Sequence, residues 1–270
     1  MKTRPYNDYT LSGIILLAGA ALLLALGYFT NRGDLTSATV ILSGVACFLS
    51  GVFMLSFARE DPPGPEVISL LPVAGTLNVC RIGADLGVRG DAWFLPANDV
   101  AGGVKEFIPA EGESLPGTTS DFSFVTEETA PGLIVIPAAL PLVTRLEASA
   151  GLRLPETEPE LVSALREICE DVLELSEHVE ISREGDTLVA TVKGYRLFDG
   201  CLEVVSVSPK CCTMHPCGIC SLIACLLARA EQLPWRVDSV RLEERSRGLS
   251  LVFRAAAVPG PTGEGPGSSR

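Results

Sequence analysis

Apolar residues are distributed along this chain in three regimes. In the first they run almost unbroken: no charged residue occurs between Asp8 and Arg32, and none between Asp34 and Arg59. A hydrocarbon layer of roughly 30 Å needs about 20 helical residues to cross it, so Leu11–Phe29 and Ser37–Phe57 are each predicted to span a membrane, joined by a short external loop at 30–36. Both are too apolar all round for ordinary core helices. A signal peptide, with Lys2 and Arg4 ahead of its apolar core, is the competing reading of the first stretch. Such cores run about 7–15 residues; this one is longer and has no convincing cleavage site.

The second regime starts after the polar breaker Glu60-Asp-Pro-Pro-Gly-Pro-Glu66, which must end the second helix. The spacing predicts an interrupted helix over 67–88, with Pro72 and Gly75 as the interruptions. Ala92–Pro96 and Val104–Pro109 read as a β-hairpin around Asn98–Gly103, 110–120 as a loop, and Phe122–Val125 and Gly132–Pro137 as strands. Ala138–Ala150 reads as a helix. Thr157-x-x-Glu160 has the form of a capping box, and Leu161, Leu165, Ile168 and Val172 continue it at helical spacing to about Glu177. The period then changes to two. Val179–Ser182 and Thr187–Lys193 flank a turn at 183–186, Cys201–Ser208 reads as a further strand, Cys217–Gln232 as a helix, and Trp235–Leu242 with Ser250–Arg254 as a final antiparallel pair. The third regime, 258–270, is rich in Pro, Gly and Ser and is predicted to be a disordered tail.

These boundaries predict a cytoplasmic tail (1–10), a two-helix transmembrane hairpin (11–29 and 37–57), a Pro-rich linker (58–66) and a cytosolic α+β domain (67–257). Its expected architecture is an antiparallel sheet with helices on one face, in one piece or as two subdomains, 67–150 and 155–257. Lys2, Arg4 and Arg59 flank the pair, whereas the loop holds only Arg32 beside Asp34, so the positive-inside rule puts both termini in the cytoplasm of a multi-pass cell-membrane protein. Nine cysteines, irregularly spread, fit a reducing compartment.

Composition narrows the partners. The chain is 47% apolar and 20% charged, with a formal net charge of −12 that falls almost wholly in the soluble part. No run of Lys and Arg interleaved with aromatics offsets that charge, so nucleic acid is excluded as a partner. The bilayer, a partner protein or a second copy of the chain are the expected contacts. Small residues recur every seven positions in the apolar stretches, at Gly13, Ala20 and Gly27 and at Ser37, Gly44 and Gly51. Each set falls on one helix face, where small side chains allow close backbone approach. Cys47 has no polar partner there and reads as a packing residue.

Common catalytic and nucleotide-binding motifs are absent, and there are only two histidines; His178 reads as a surface or capping residue. The distinctive constellation is Cys211-Cys-Thr-Met-His-Pro-Cys-Gly-Ile-Cys220. Cys212, Cys217 and Cys220 match the spacing of the first three ligands of a plant-type iron–sulfur loop, and with Cys211 or His215 they would also suit tetrahedral zinc; Cys201 or Cys225 is a further candidate ligand. A metal-free dithiol at Cys217 and Cys220, in the first turn of a helix where thiolate is favoured, and simple packing of small apolar side chains are the alternatives.

The two apolar helices, Leu-Gly-Val-Arg-Gly-Asp-Ala-Trp-Phe-Leu-Pro96, Gly-Leu-Ile-Val-Ile-Pro137 and the close through Cys201–Phe253 resemble a family of uncharacterised euryarchaeal membrane proteins of halophiles and methanogens. That resemblance implies architecture and an archaeal setting, and carries no catalytic motif. Val205–Phe253 is also similar, more faintly, to the tail of 4-vinyl-reductase-type small-molecule-binding domains. The expected function is a membrane-anchored, non-enzymatic module that senses or scaffolds. The alternatives are a metal or iron–sulfur protein and a thiol oxidoreductase.

Overall fold

The computed structural model describes residues 8–30, 35–57, 64–97, 103–117, 122–151, 154–155 and 157–256. The expected tails at 1–10 and 258–270, the external loop and the Pro-rich linker lie wholly or mostly outside the described residues. The chain divides into two units, Met1–Gly64 and Pro65–Arg270.

The first unit is a pair of helices, α1 (Asp8–Thr30) and α2 (Leu35–Phe57). They run antiparallel in contact: Gly13 lies beside Gly51 and Leu55, Gly44 beside Leu24, and Gly27 beside Ile41. Among the described side chains of the pair, the buried positions are Gly13, Ala20, Gly27, Gly44 and Gly51. Ser37 falls in α2, and its side chain is outside the described residues. A Cβ on Gly13 would lie 2.8 Å from Leu55 Cγ and one on Gly51 3.0 Å from Leu17 Cγ, whereas one on Gly19 would meet nothing within 4 Å. Gly13→Ile is therefore expected to cost roughly 1–3 kcal/mol of helix–helix association by overpacking. The SDS concentration that separates the pair should fall in this variant and stay unchanged in Gly19→Ile.

The second unit is α+β. Its helices are α3 (Pro65–Leu70), α4 (Val73–Asp85), α5 (Leu140–Ala150), α6 (Glu158–Glu167), α7 (Phe198–Val207), α8 (Cys211–Met214) and α9 (Gly218–Glu231). Its strands are β1 (Trp93–Pro96), β2 (Val104–Pro109), β3 (Phe124–Val125), β4 (Gly132–Val135), β5 (His178–Glu184), β6 (Thr187–Lys193), β7 (Trp235–Glu243) and β8 (Gly248–Ala255). Among the described residues the strands form one eight-stranded antiparallel sheet in the order β3-β4-β2-β1-β7-β8-β6-β5. Because β1 pairs with β7, the sheet runs without a break from 67–150 into 155–257.

Side chains alternate across a strand, and the alternation separates two apolar clusters. Phe94, Val104, Ile108 and Leu133 join the main core with the helices, whereas Trp93, Leu95, Phe107 and Val125 form a smaller cluster on the opposite face. α9 is the centre of the main core: Ile219, Leu222, Ile223, Leu226 and Leu227 are all 0% exposed.

Three local expectations need correction. Cys201–Ser208 is helical, not extended: Phe198, Cys201 and Val204 are buried at three-residue spacing as α7 packs on α3, α4 and α8. Tertiary packing overrides the β-branched valines that suggested a strand. The helix from Thr157 ends in a five-residue π turn, Ile168–Val172, short of Glu177. Thr157 is its N-cap, but its side chain makes no capping hydrogen bond. The interruption after 67 occurs at Leu71–Pro72, while Gly75 lies inside α4.

Among the described residues, four stretches are long and apolar enough to cross a membrane, compatible with a membrane protein: Thr10–Phe29, Ala38–Ser56, Pro65–Asp85 and Cys211–Glu231. They differ in surroundings. The first three are 17%, 11% and 22% buried by the protein, and the fourth is 83% buried.

Candidate functional site

Glu106 is the least expected residue of the helix-covered face. It lies in β2 in phase with Val104 and Ile108 and is 0% exposed. An ionised carboxylate there must be paired, and His215 supplies the partner, its Nδ1 2.7 Å from Glu106 Oε1. The backbone carries the imidazole to this point. The Ala92 N–H donates to the Thr213 carbonyl and the His215 N–H to the Cys211 carbonyl, which fixes α8 beside the start of β1. The second carboxylate oxygen, Oε2, has no hydrogen-bond partner.

Burial pushes the Glu106 carboxyl above its ordinary range, and the charge and hydrogen bond of His215 only partly offset this. For His215, burial favours the neutral ring, but the Glu106 charge and hydrogen bond outweigh it and raise the pKa. Folded, the pair holds protons more tightly than the separate groups do in water, and it titrates as a unit.

His215 also borders a cavity of about 680 Å³ between α4, β2 and β4. Its walls are largely apolar, with Val79, Leu133 and Leu140 among them, and Ile82, Phe124 and Ile136 stand exposed at its mouth. A largely apolar concavity with a few polar groups, here His215, Lys105 and Ser123, has the form of a small-molecule site. A second cavity, about 780 Å³, lies between α4, α7 and α8 and is bordered by Arg81, Arg89 and Lys210. Lys210 forms an ion pair there with Asp91.

The candidate metal ligands face separate neighbours. Cys211 lies near Cys80 of α4, whose pKa it helps to raise, His215 is hydrogen-bonded to Glu106, and Cys217 pairs with Cys201 of α7, Sγ to Sγ 3.9 Å. Cys212 is buried, which with nearby thiols pushes its pKa up to about 12. Cys220 and Cys225 are buried in α9 and are raised by burial. Among the described residues no three His, Cys, Asp or Glu side chains are placed to hold a metal ion. The thiol in contact with Cys217 is that of Cys201 in α7. The hydrogen bond from Cys201 is the main influence that lowers the Cys217 pKa; its own backbone N–H and the His215 charge add to this, against burial. His178 opens β5, exposed, with Nδ1 3.3 Å from Glu170 Oε1.

The start of α9 depends on Gly218. Its φ of 47° is one that side-chain-bearing residues rarely adopt, and an added Cβ would lie 2.6 Å from Tyr195 Oη. The Ile219 N–H donates to that buried hydroxyl, 3.4 Å away.

The family model of DUF7982, a domain of unknown function, matches residues 7–252. The chain belongs to the DUF7982 family. No curated protein and no solved structure matches it. The DUF7982 match begins before α1 and ends within β8, so the apolar helix pair and the sheet unit are parts of one family domain. Within this DUF7982 chain, sequence reasoning missed Glu106. A signal for it exists, because in Val104-Lys-Glu-Phe-Ile108 the carboxylate occupies the inward phase of an otherwise apolar strand.

Proposed function

We propose that the chain is a membrane-anchored sensor whose 65–256 unit binds a small, largely apolar ligand in the groove between α4 and β4. The observation that carries this reading is the cavity of about 680 Å³ whose apolar walls end on His215, itself held by a carboxylate that is 0% exposed. A buried ion pair is weak evidence for stability, and an ionisable residue with a perturbed pKa beside a cleft is the usual mark of a functional site. The faint likeness of Val205–Phe253 to small-molecule-binding domains points the same way, and the archaeal setting stays part of the proposal.

In this reading α1 and α2 cross the bilayer as a hairpin with both termini on the cytoplasmic side. Their slight burial by the protein supports this, as do Lys2, Arg4 and Arg59 at the inner ends. The Pro65–Asp85 stretch is broken at Leu71–Pro72 into helices too short to cross, since a span needs about 20 residues. Cys211–Glu231 is enclosed by its own domain. A partner protein or a second copy of the chain would receive the signal.

The test is photolabelling of the full chain in lipid nanodiscs with a diazirine-bearing aliphatic probe, mapped by mass spectrometry. Labels are expected at Ile82, Phe124 and Ile136. Ile136→Trp, an exposed position at the mouth, should remove the groove labels and leave those on α1 and α2. Labels confined to α1 and α2 in the unmodified chain would refute the groove as a ligand site.

A further inference from the structure

The pairing of Cys201 with Cys217 is independent of the groove and of any ligand in it. The two sulfurs, 16 positions apart in sequence, belong to different helices, one inside α7 and one at the N-cap of α9, and lie 3.9 Å apart. A disulfide has an S–S length of about 2.05 Å, so a shift of roughly 2 Å closes the bond. Cys217 is well placed to give way. It precedes the first residue of α9, has extended backbone angles and is half-buried. As an N-cap it also sits at the positive end of a helix of 14 residues, which favours the thiolate that attacks.

Both cysteines line the same small cavity, about 40 Å³, together with Pro72, Thr76, Tyr195 and Gly218. One water needs about 10–15 Å³ on this measure. The space therefore admits a molecule as small as hydrogen peroxide and excludes glutathione-sized oxidants. The neighbouring thiols Cys80 and Cys211 are both buried, and burial holds Cys80 protonated.

We propose that Cys201 and Cys217 are an oxidation site for small hydroperoxides, closing reversibly into a disulfide. The Cys217 thiolate attacks the peroxide oxygen, giving a sulfenic acid and, once the displaced oxygen takes up the proton that Cys217 released, one water. The Cys201 sulfur then attacks the sulfenic sulfur; the S–S bond forms, and the Cys201 proton leaves with the hydroxide as a second water. Two electrons pass from the thiol pair to one hydrogen peroxide. A dithiol reductant reverses the bond by exchange.

The experiment treats full chain in nanodiscs with hydrogen peroxide, blocks remaining thiols with N-ethylmaleimide, and maps peptides by mass spectrometry. The expected result is a mass loss of about 2 Da in a linked Cys201–Cys217 peptide pair, with two fewer blocked thiols, reversed by dithiothreitol. Cys201→Ser should stop at a Cys217 sulfenic acid, trapped by dimedone, and Cys217→Ser should form neither adduct nor disulfide. A Cys80–Cys211 link instead, or full blocking of both Cys201 and Cys217 after peroxide, overturns the proposal. Serine is close in size to cysteine, and far-UV circular dichroism of each variant, matched to the parent, shows that the fold is kept.

Discussion

Replacing His215 by leucine is expected to cost the sheet unit about 3–5 kcal/mol at neutral pH, the usual penalty for leaving one member of a buried ion pair alone. The Glu106 carboxylate is 0% exposed, and the nearby thiols of Cys80 and Cys225 cannot neutralise it. Replacing both residues, Glu106→Leu with His215→Leu, should recover most of that loss, because an apolar pair of similar volume needs no compensation. Trp93 and Trp235, the two tryptophans of the chain, are both buried in this unit. Their fluorescence during guanidinium unfolding in mild detergent therefore reports each variant of the double-mutant cycle.

The pH dependence separates the same states. His215 is raised in the folded chain, so its contribution is fully present below its unfolded value of about 6.5 and is lost as pH rises through the folded value. The raised Glu106 carboxyl has the same sign, favouring the folded state on the acid side. Stability of the parent should therefore fall as pH climbs through neutrality. His215→Leu should regain stability as pH drops and Glu106 protonates, and the double variant should show neither slope. A parent whose stability rises across this window would contradict the pairing.

The second large effect belongs to α9. Leu226→Ala is expected to cost about 2–5 kcal/mol, the range for truncating a fully buried leucine, because this side chain is 0% exposed in the main core. Val207→Ala, on an exposed side chain of α7, should stay within about 0.5 kcal/mol. The contrast bears on which apolar helices meet lipid. A helix that crossed the bilayer would contribute little to the guanidinium unfolding of the sheet unit, so an unchanged midpoint for Leu226→Ala would remove α9 from the core.

Much of this architecture is legible from periodicity. The N-terminal helices show in two stretches without charge, and β5, β6 and β8 show in alternation, because a strand with one covered face carries its pattern residue by residue, whereas β7 changes phase at an irregularity between Val237 and Ser239. α7 is misread because its valines satisfy a strand's preferences equally well; only contact with α3 and α8 decides. The cysteine loop shows why composition alone misleads about chemistry. Ligand spacing describes distance along the chain, whereas the partners His215 and Cys217 meet, Glu106 and Cys201, come from other elements. Glu106 lies 109 positions from its partner, so the inward phase of its strand marks the residue but not the pairing, whereas Cys201, 16 positions from Cys217, is within reach as a candidate ligand though not as its partner.

The strand order carries a consequence for biosynthesis. β1 to β4 form one end of the sheet and β5 with β6 the other, and among the described residues the strands that join them are β7 and β8. Those two strands are synthesised after the six others. Until they emerge, the nascent chain holds two separate sheet fragments, each with an open edge, while α1 and α2 were made long before. Completion of the sheet thus waits until both are made, and a chain stopped before Trp235 would leave both edges unpaired for quality control to find.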